Sequence, residues 1–266
     1  MAERLIMFPF TTQAIISIFL VIFLGWILIK FNFFDKQFVF IFANILNKYL
    51  LPFFFFWIIA NNKRSDGFGW KVSLIMVLLT IFACLIGYLI ANISNISEES
   101  KSLFIIGCYR FYLFLGLGFI YFLFSSDIVR FFCIILLFLL PISDIIYCLI
   151  AKRFRQLDKK EGYDLKEIKS IIFNPIIIGG ILGWASSSFG LDFPLLIDKT
   201  AEMIIMMIFP LVLITTGGSI KFGSTSPNEK AFVVGIASKI VVLPLLSYFF
   251  LTSMSVTSQK VMVVKG

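Results

Sequence analysis

Residues 23–30 read FLGWILIK and residues 181–188 read ILGWASSS, so a Gly-Trp pair recurs at Gly25 and Gly183. Each pair lies late in an apolar segment, and after a short polar break a second apolar segment carries a proline, Pro52 or Pro210. The two glycines and the two prolines are separated by the same 158 residues. Gly69-Trp70 repeats the pair outside this phase, so the prolines and the segment order carry the argument. A fixed offset of this kind predicts two related halves.

The composition is typical of a membrane protein. The chain of 266 residues is 60% hydrophobic and has a mean hydropathy of +1.01, whereas ordinary soluble domains are about half apolar. Several apolar stretches approach the ~20 residues that an α-helix needs to cross a bilayer. These features exclude a soluble core and predict an all-α integral membrane protein.

Charge and residue usage exclude several partners. The net charge is +8, but the basic residues lie between apolar segments, where anionic lipid and membrane topology account for them. No nucleic-acid partner is therefore expected. The four cysteines lie in apolar segments without a C-x-x-C pair, and the chain has no histidine, so neither a disulfide framework, a metal site nor a cofactor is predicted. The segments contain no paired catalytic aspartates and no serine beside a base, so no enzyme is expected.

Eight segments are predicted to span the membrane, and the loop between the fifth and sixth sets their orientation. This loop, from Lys152 to Lys169, is rich in Lys and Arg, which marks the cytoplasmic side. Five preceding spans then put the N-terminus outside. The segments lie near 13–30, 37–60, 70–91, 102–124, 128–151, 171–189, 195–220 and 231–251.

Five spans before this loop mean that the second half enters the membrane in the opposite direction, which predicts an inverted five-plus-five helix repeat. Residues 1–151 form the first repeat with five helices, 152–170 the cytoplasmic basic loop, and 171–266 an incomplete second repeat with three helices. At the 158-residue offset a full second copy would reach about residue 309. The last two helices are therefore expected to be missing.

Arg110 is the most informative single residue. It lies about nine residues into the fourth segment, or about 14 Å along a helix, which is near the middle of the bilayer. An arginine there costs at least ~2.5–3.5 kcal/mol on insertion scales, so it should face a cavity or a partner. It either binds an anionic substrate or forms a structural pair with an acid such as Asp144.

The residues after Arg110 are candidates for the same site. Gly116 and Gly118 each weaken a helix by about 1 kcal/mol relative to alanine, and broken helices at mid-membrane expose backbone groups that bind ligands in transporters. We therefore expect Tyr112 and the backbone at both glycines to shape the substrate site. Close helix packing is the alternative for the glycines, because glycine is common in membrane helices.

Polar side chains line one face of the second segment. Asn44, Asn47 and Lys48 have the i, i+3, i+4 spacing of a single helix face, and such a face should contact protein or water rather than lipid. Asn47 and Lys48 are candidates for lining the substrate site. Alternatively, Lys48 pairs with an acid and the asparagines hold helices together.

Intramembrane acids are candidates for ion or proton coupling. Asp144 follows Pro141 in the fifth segment, and Glu202 lies 158 residues after Asn44. Burial favours protonation of such carboxyl groups. Pairing with Arg110 is the alternative for Asp144. Asp198 lies nearer the start of its helix, where an interfacial role is expected.

Two stretches, NPIIIGGILG at 174–183 and FPLVLITTGGSI at 209–220, resemble the auxin efflux carrier family, whose bacterial members are often labelled malate or malonate permeases. RFYLFLG at 110–116 resembles that family's fourth-helix motif. The resemblance implies ten helices, a scaffold of helices 1, 2, 6 and 7 that forms a homodimer, and crossed, broken helices 4 and 9 that build the site. It also implies elevator-like transport. Tyr112 stands where the family has asparagine, and Gly118 lies near where many members carry proline.

These observations together predict a secondary transporter of a small organic anion, such as a dicarboxylate or an auxin-like acid, in the bacterial inner membrane. Arg110 would hold the carboxylate, and proton or sodium coupling is unassigned. The alternative is a non-transporting membrane sensor or a degenerate, truncated paralogue, which Tyr112 and the missing helices favour.

Overall fold

The computed structural model describes residues 2–61, 69–93, 98–109, 113–155 and 173–220, together with 235, 239, 240, 244 and 245. Helices account for nearly all of these residues, which confirms the predicted all-α class. The helices are α1 (Ala2–Lys30), α2 (Lys36–Ile45), a π-helical segment (Leu46–Leu50), α3 (Leu51–Ala60), α4 (Gly69–Ile93), α5 (Glu98–Tyr109), α6 (Leu113–Leu123), α7 (Ser126–Arg155), α8 (Pro175–Ser188) and α9 (Leu195–Ser219).

Four helical stretches among the described residues are long and apolar enough to cross a membrane: Gln37–Ala60, Val72–Ile93, Ser126–Ile150 and Leu195–Ser219. Two shorter apolar helices, Ile15–Lys30 and Pro175–Ser188, accompany them. Many large apolar side chains on these helices are exposed, as contact with lipid requires. The chain is therefore an all-α integral membrane protein.

The helices follow the first seven predicted segments, with several shifted ends; α5 begins at Glu98 rather than near residue 102, and α8 begins at Pro175 rather than near residue 171. Helix α1 begins at Ala2 rather than near residue 13, and α7 continues to Arg155 rather than ending near residue 151. The fourth segment is described as α5 and α6, and the residues between them lie outside the described part of the chain. Only five residues of the predicted segment 231–251 are described, and Gly235 among them lies against Phe104 of α5.

The second span changes its winding before Pro52. Proline has no N–H to donate, and its ring clashes with the carbonyl four residues earlier in a regular α-helix. The chain widens to a π-helix over Leu46–Leu50, where the Leu51 N–H donates to the Leu46 carbonyl. Asn47 supports this segment, because its side-chain Nδ2 donates to the Ala43 carbonyl at 2.8 Å.

Helices α3 and α8 pack closely because glycines remove side chains from their contact. A Cβ added at Gly179 would overlap the backbone of Pro52, and one added at Gly183 would overlap the backbone of Phe56. Residue numbers increase together along the two helices, so α3 and α8 run parallel. Asn174 fixes the start of α8, since its Oδ1 accepts a hydrogen bond from the Ile176 N–H at 3.0 Å.

Helices α1 and α9 form a second close pair of the same kind. A Cβ added at Gly25 would overlap the Ile214 backbone, and one added at Gly218 would lie 3.1 Å from Cγ1 of Ile29. The residue numbers of the contacting pairs, Gly25 with Ile214 and Ile29 with Gly218, increase together, so α1 and α9 run parallel. Gly217 adds a third close approach in the same region.

The described helices form two packed groups that contact each other through α7. Helices α1, α2, α3, α8 and α9 belong to the first group and α4, α5 and α7 to the second, and α7 also packs directly on α3 and α8. Helix α6 contacts α1, α7 and α9. The largest core cluster lies around the buried rings Phe54, Phe55 and Phe209, and this cluster positions the candidate site residues of α6.

Candidate functional site

The two residues at the centre of the predicted site, Arg110 and Tyr112, lie outside the described residues. Their immediate neighbour Tyr109 ends α5 and is fully buried. Its hydroxyl donates to the Ser143 carbonyl at 3.5 Å. This contact brings the end of α5 beside the half-buried Asp144 of α7, so substrate binding by Arg110 and pairing of Arg110 with Asp144 both stay predictions.

Gly116 and Gly118 lie inside α6, so the helix is not broken at either glycine as the sequence had led us to expect. A Cβ at Gly116 would lie 3.7 Å from Cζ of Phe132, and one at Gly118 would lie 3.5 Å from Cδ1 of Phe209. Their backbone groups therefore belong to a helical hydrogen-bond ladder. Both glycines face aromatic rings at ordinary van der Waals distance, so a role in the substrate site and a role in helix packing both stay predictions.

The polar face of the second span is exposed. Asn44, Asn47 and Lys48 are all exposed, and the Asn47 amide is occupied by the Ala43 carbonyl within its own helix. The Lys48 ammonium lies 5.5 Å from the centre of the Tyr49 ring. These contacts give Asn47 a local structural role and leave the lining of a substrate site by Asn47 and Lys48 a prediction.

Glu202 lies at a junction between α9 and α6. Its side chain is exposed, and Phe209 lies two turns further along the same helix. The Tyr121 ring stacks on Phe209 with 4.4 Å between centroids. The sequence analysis did not single out Tyr121, although its position three residues after Gly118 puts both on one helix face.

Asp198 joins α9 to the end of α3. Its Oδ1 accepts a hydrogen bond from Nδ2 of Asn61 at 3.0 Å. The two residues lie 137 positions apart in the sequence, so the contact holds the start of one apolar helix beside the end of another. The interfacial role expected for Asp198 stays a prediction.

Three buried polar atoms among the described residues form no hydrogen bond, and none of them was anticipated from the sequence. Arg130 lies one turn into α7 and is only 7% exposed, and it takes part in further interactions. The Arg130 Nε, the Trp57 Nε1 and the Ser186 Oγ are buried and form no hydrogen bond. From the sequence alone, a charged residue near the start of an apolar segment is expected at the membrane interface. The burial of Arg130 is visible only in the packing of α7.

The described residues contain no group of three or more His, Cys, Asp or Glu side chains that could hold a metal ion. The absence of a cofactor stays a prediction. No protein-family model matches the sequence, and no curated protein matches it.

Proposed function

We propose that this protein is a secondary transporter of a small organic anion, built as an inverted five-plus-five helix repeat. The observation that carries the proposal is a pair of exchanged contacts. Gly25 packs on Ile214, and Gly183 packs on Phe56. A shift of 158 residues converts Gly25 into Gly183 and Phe56 into Ile214. One contact is therefore the repeat-related copy of the other, which supports a two-fold relation between the halves.

The directions of the helices support the inverted arrangement. When successive spans alternate in direction, spans 1 and 7 run parallel and spans 2 and 6 run parallel. Helices α1 and α9 have this relation, and so do α3 and α8. The two-fold operation exchanges these two pairs, as an inverted repeat requires. On this proposal the N-terminus lies outside a bacterial inner membrane and the loop 152–170 lies in the cytoplasm.

The elevator-type mechanism is carried by the resemblance to the auxin efflux carrier family. Glycine contacts join span 1 to span 7 and span 2 to span 6 as a first group, and α4, α5 and α7 pack together as a second, which meets the first where α7 packs on α3 and α8. We assign the first group to a scaffold that also forms the homodimer, and the second to the moving part. Relative movement of the groups would expose the region of Arg110 to each side of the membrane in turn.

The chemistry of the proposed substrate follows from Arg110. A guanidinium group in the middle of an apolar segment is stabilised by a carboxylate, with which it forms charge-assisted hydrogen bonds. Asn47 and Lys48 would add donors from the scaffold side. Asp144 or Glu202 would carry a coupled proton or cation.

Uptake of labelled dicarboxylates and indole acids into proteoliposomes tests this proposal. We expect saturable uptake of at least one of these acids and a loss of at least tenfold in Arg110→Ala. Arg153→Ala is the matched control, because Arg153 is exposed near the end of α7 and its loss should leave uptake unchanged. No uptake of any acid, or equal uptake by Arg110→Ala and the unsubstituted chain, would refute the proposal.

A topology map tests the orientation separately. Cysteines introduced at residue 10 and at residue 160 should react with a membrane-impermeant maleimide only from outside and only from inside, respectively. The four native cysteines lie in apolar segments. Labelling of the unsubstituted chain therefore measures the background reaction that is subtracted. A cytoplasmic N-terminus would contradict the inverted repeat.

A further inference from the structure

The eighth predicted span turns one side toward α5 and another side away from it. Gly235 and Lys239 lie four residues apart, on one helix face, and both are half-buried. Ile240 and Leu245 are 67% and 63% exposed. A Cβ at Gly235 would lie 3.4 Å from Cδ2 and Cε2 of Phe104, so the face that carries Lys239 is the face that meets α5.

The register of this contact places Lys239 near the end of α5. The fourth and eighth spans run in the same direction when successive spans alternate, so the residues one turn after Gly235 and Phe104 are neighbours. These are Lys239 and Cys108, and an electrostatic interaction between their side chains agrees with this register. Cys108 is buried and lies two residues before Arg110, so the Cα atoms of that pair are at most about 7 Å apart. Lys239 therefore belongs to the region of the candidate substrate arginine.

The depth of Lys239 in the membrane limits what its ammonium group can face. Lys239 lies eight residues into the predicted segment 231–251, about 12 Å along a helix and within the hydrocarbon core. A charged side chain at that depth faces protein or water rather than lipid, and the half-burial of Lys239 beside the exposed Ile240 agrees with this. An ammonium group has three donors on a flexible stem and binds a carboxylate as a point charge. Lys239 therefore has the chemistry to bind an acid at the site proposed for Arg110.

We propose that Lys239 binds a second carboxylate of the transported acid, while Arg110 binds the first. This inference rests on the proposed transport function and deepens it, because it makes Lys239 the residue that selects acids with two carboxylates over acids with one. When Asp144 carries the coupled proton, Arg110 and Lys239 give the region two positive charges, which two carboxylates neutralise. A single carboxylate would neutralise only one of them, and an uncompensated charge inside the bilayer is costly.

Binding of two matched acids to the purified chain in lipid nanodiscs tests the selectivity. Succinate has two carboxylates, butyrate has the same four carbons and one carboxylate, and isothermal titration calorimetry measures both affinities without transport. We expect tighter binding of succinate than of butyrate. Lys239→Gln removes the charge and should weaken succinate binding by about tenfold or more, because a hydrogen bond between charged groups contributes that much. Butyrate binding should not change, and Lys239→Arg should keep the preference for succinate.

Lys199→Gln is the matched control, because Lys199 is exposed on α9 and its loss removes the same charge elsewhere. Both affinities should stay unchanged in this variant. Unchanged succinate binding in Lys239→Gln, or an equal loss for succinate and butyrate, would overturn the proposal.

A cross-link tests the placement of Lys239 without any substrate. The variant Lys239→Cys would be treated in nanodiscs with a short bis-methanethiosulfonate reagent, which joins neighbouring thiols, and mass spectrometry of peptides would detect a link to the native Cys108. Ile240→Cys is the control, because Ile240 is exposed on another side of the same helix. We expect a link from position 239 and none from position 240. No link from position 239, or equal linking from both, would contradict the placement and with it the proposal.

The outcomes also separate this inference from the proposed function. If neither acid binds and no acid is taken up into proteoliposomes, the transport function fails and this inference fails with it. If acids bind and are taken up while Lys239→Gln weakens both acids equally, the role of Lys239 fails alone.

Discussion

Replacing Gly25 with alanine should destabilise the protein through a single added methyl group. The three heavy atoms nearest to a Cβ at this position are the carbonyl oxygen, the carbonyl carbon and the Cα of Ile214. All three belong to the backbone of α9, so no side-chain rotation can relieve the overlap. Helices α1 and α9 would have to move apart and loosen the buried cluster of Ile18, Ile22 and Leu213.

The expected cost follows from this geometry. Overpacking by one methyl group costs about 1–3 kcal/mol when the surroundings cannot adjust, which lowers the ratio of folded to unfolded protein by about fivefold or more. Gly183→Ala should cost a similar amount, because the Phe56 backbone holds the corresponding place in α3. Similar costs are expected because each glycine faces the backbone of a partner helix, and the proposed repeat relates the two contacts.

Reversible unfolding in mixed detergent micelles measures these costs. Gly107→Ala is the matched control, because Gly107 lies in helix α5 and a Cβ there has no atom within 4 Å. That substitution should be neutral or stabilise by up to about 1 kcal/mol, since alanine loses less backbone entropy than glycine. The reasoning fails if Gly25→Ala is no more destabilising than Gly107→Ala.

Three further substitutions test individual contacts by the same unfolding measurement. Asn174→Ala removes the cap that accepts from the Ile176 N–H and should cost about 1 kcal/mol, whereas Asn174→Asp should retain most of the stability. Gly180→Ala meets only the branched end of the Leu137 side chain, which can rotate, so its cost should be smaller than at the glycines that face backbone; an equal cost would contradict this. Asn61→Ala removes the donor to Asp198 and should cost about 0.5–1.5 kcal/mol, and no change would show that the contact adds nothing.

The sequence predicted the helices well because bilayer-spanning segments are long and uniformly apolar. Segments such as 37–60 and 195–220 correspond closely to helical stretches, since about 20 apolar residues leave few alternatives to a helix. The ends were less certain. Helix α1 begins at Ala2. Its first residues mix polar and apolar side chains without a helical period, so the sequence did not predict this start.

Contacts between helices were harder to predict, because they depend on which faces meet. Gly116 and Gly118 weaken a helix in isolation, yet α6 continues through both, with Phe132 and Phe209 packed beside them. Tyr121 gave no signal, because a tyrosine in an apolar run of aromatic residues is indistinguishable from its neighbours. Its ring stacks on Phe209, which lies 88 residues further along the chain (209 − 121 = 88).

The recurring Gly-Trp pair combines two requirements that act on different sides of one helix. The glycine turns inward and lets a partner backbone approach, at Ile214 for Gly25 and at Phe56 for Gly183. Adjacent residues differ by about 100° around a helix, so the tryptophan points away from this contact. Trp184 is 62% exposed, and the Lys30 ammonium lies 4.4 Å from the centre of the Trp26 ring. Tryptophan and lysine near helix ends favour the membrane–water interface. The glycine thus fixes the crossing of two spans beside a tryptophan suited to the membrane interface, and on the proposed inverted repeat the two pairs would lie at opposite faces of the membrane.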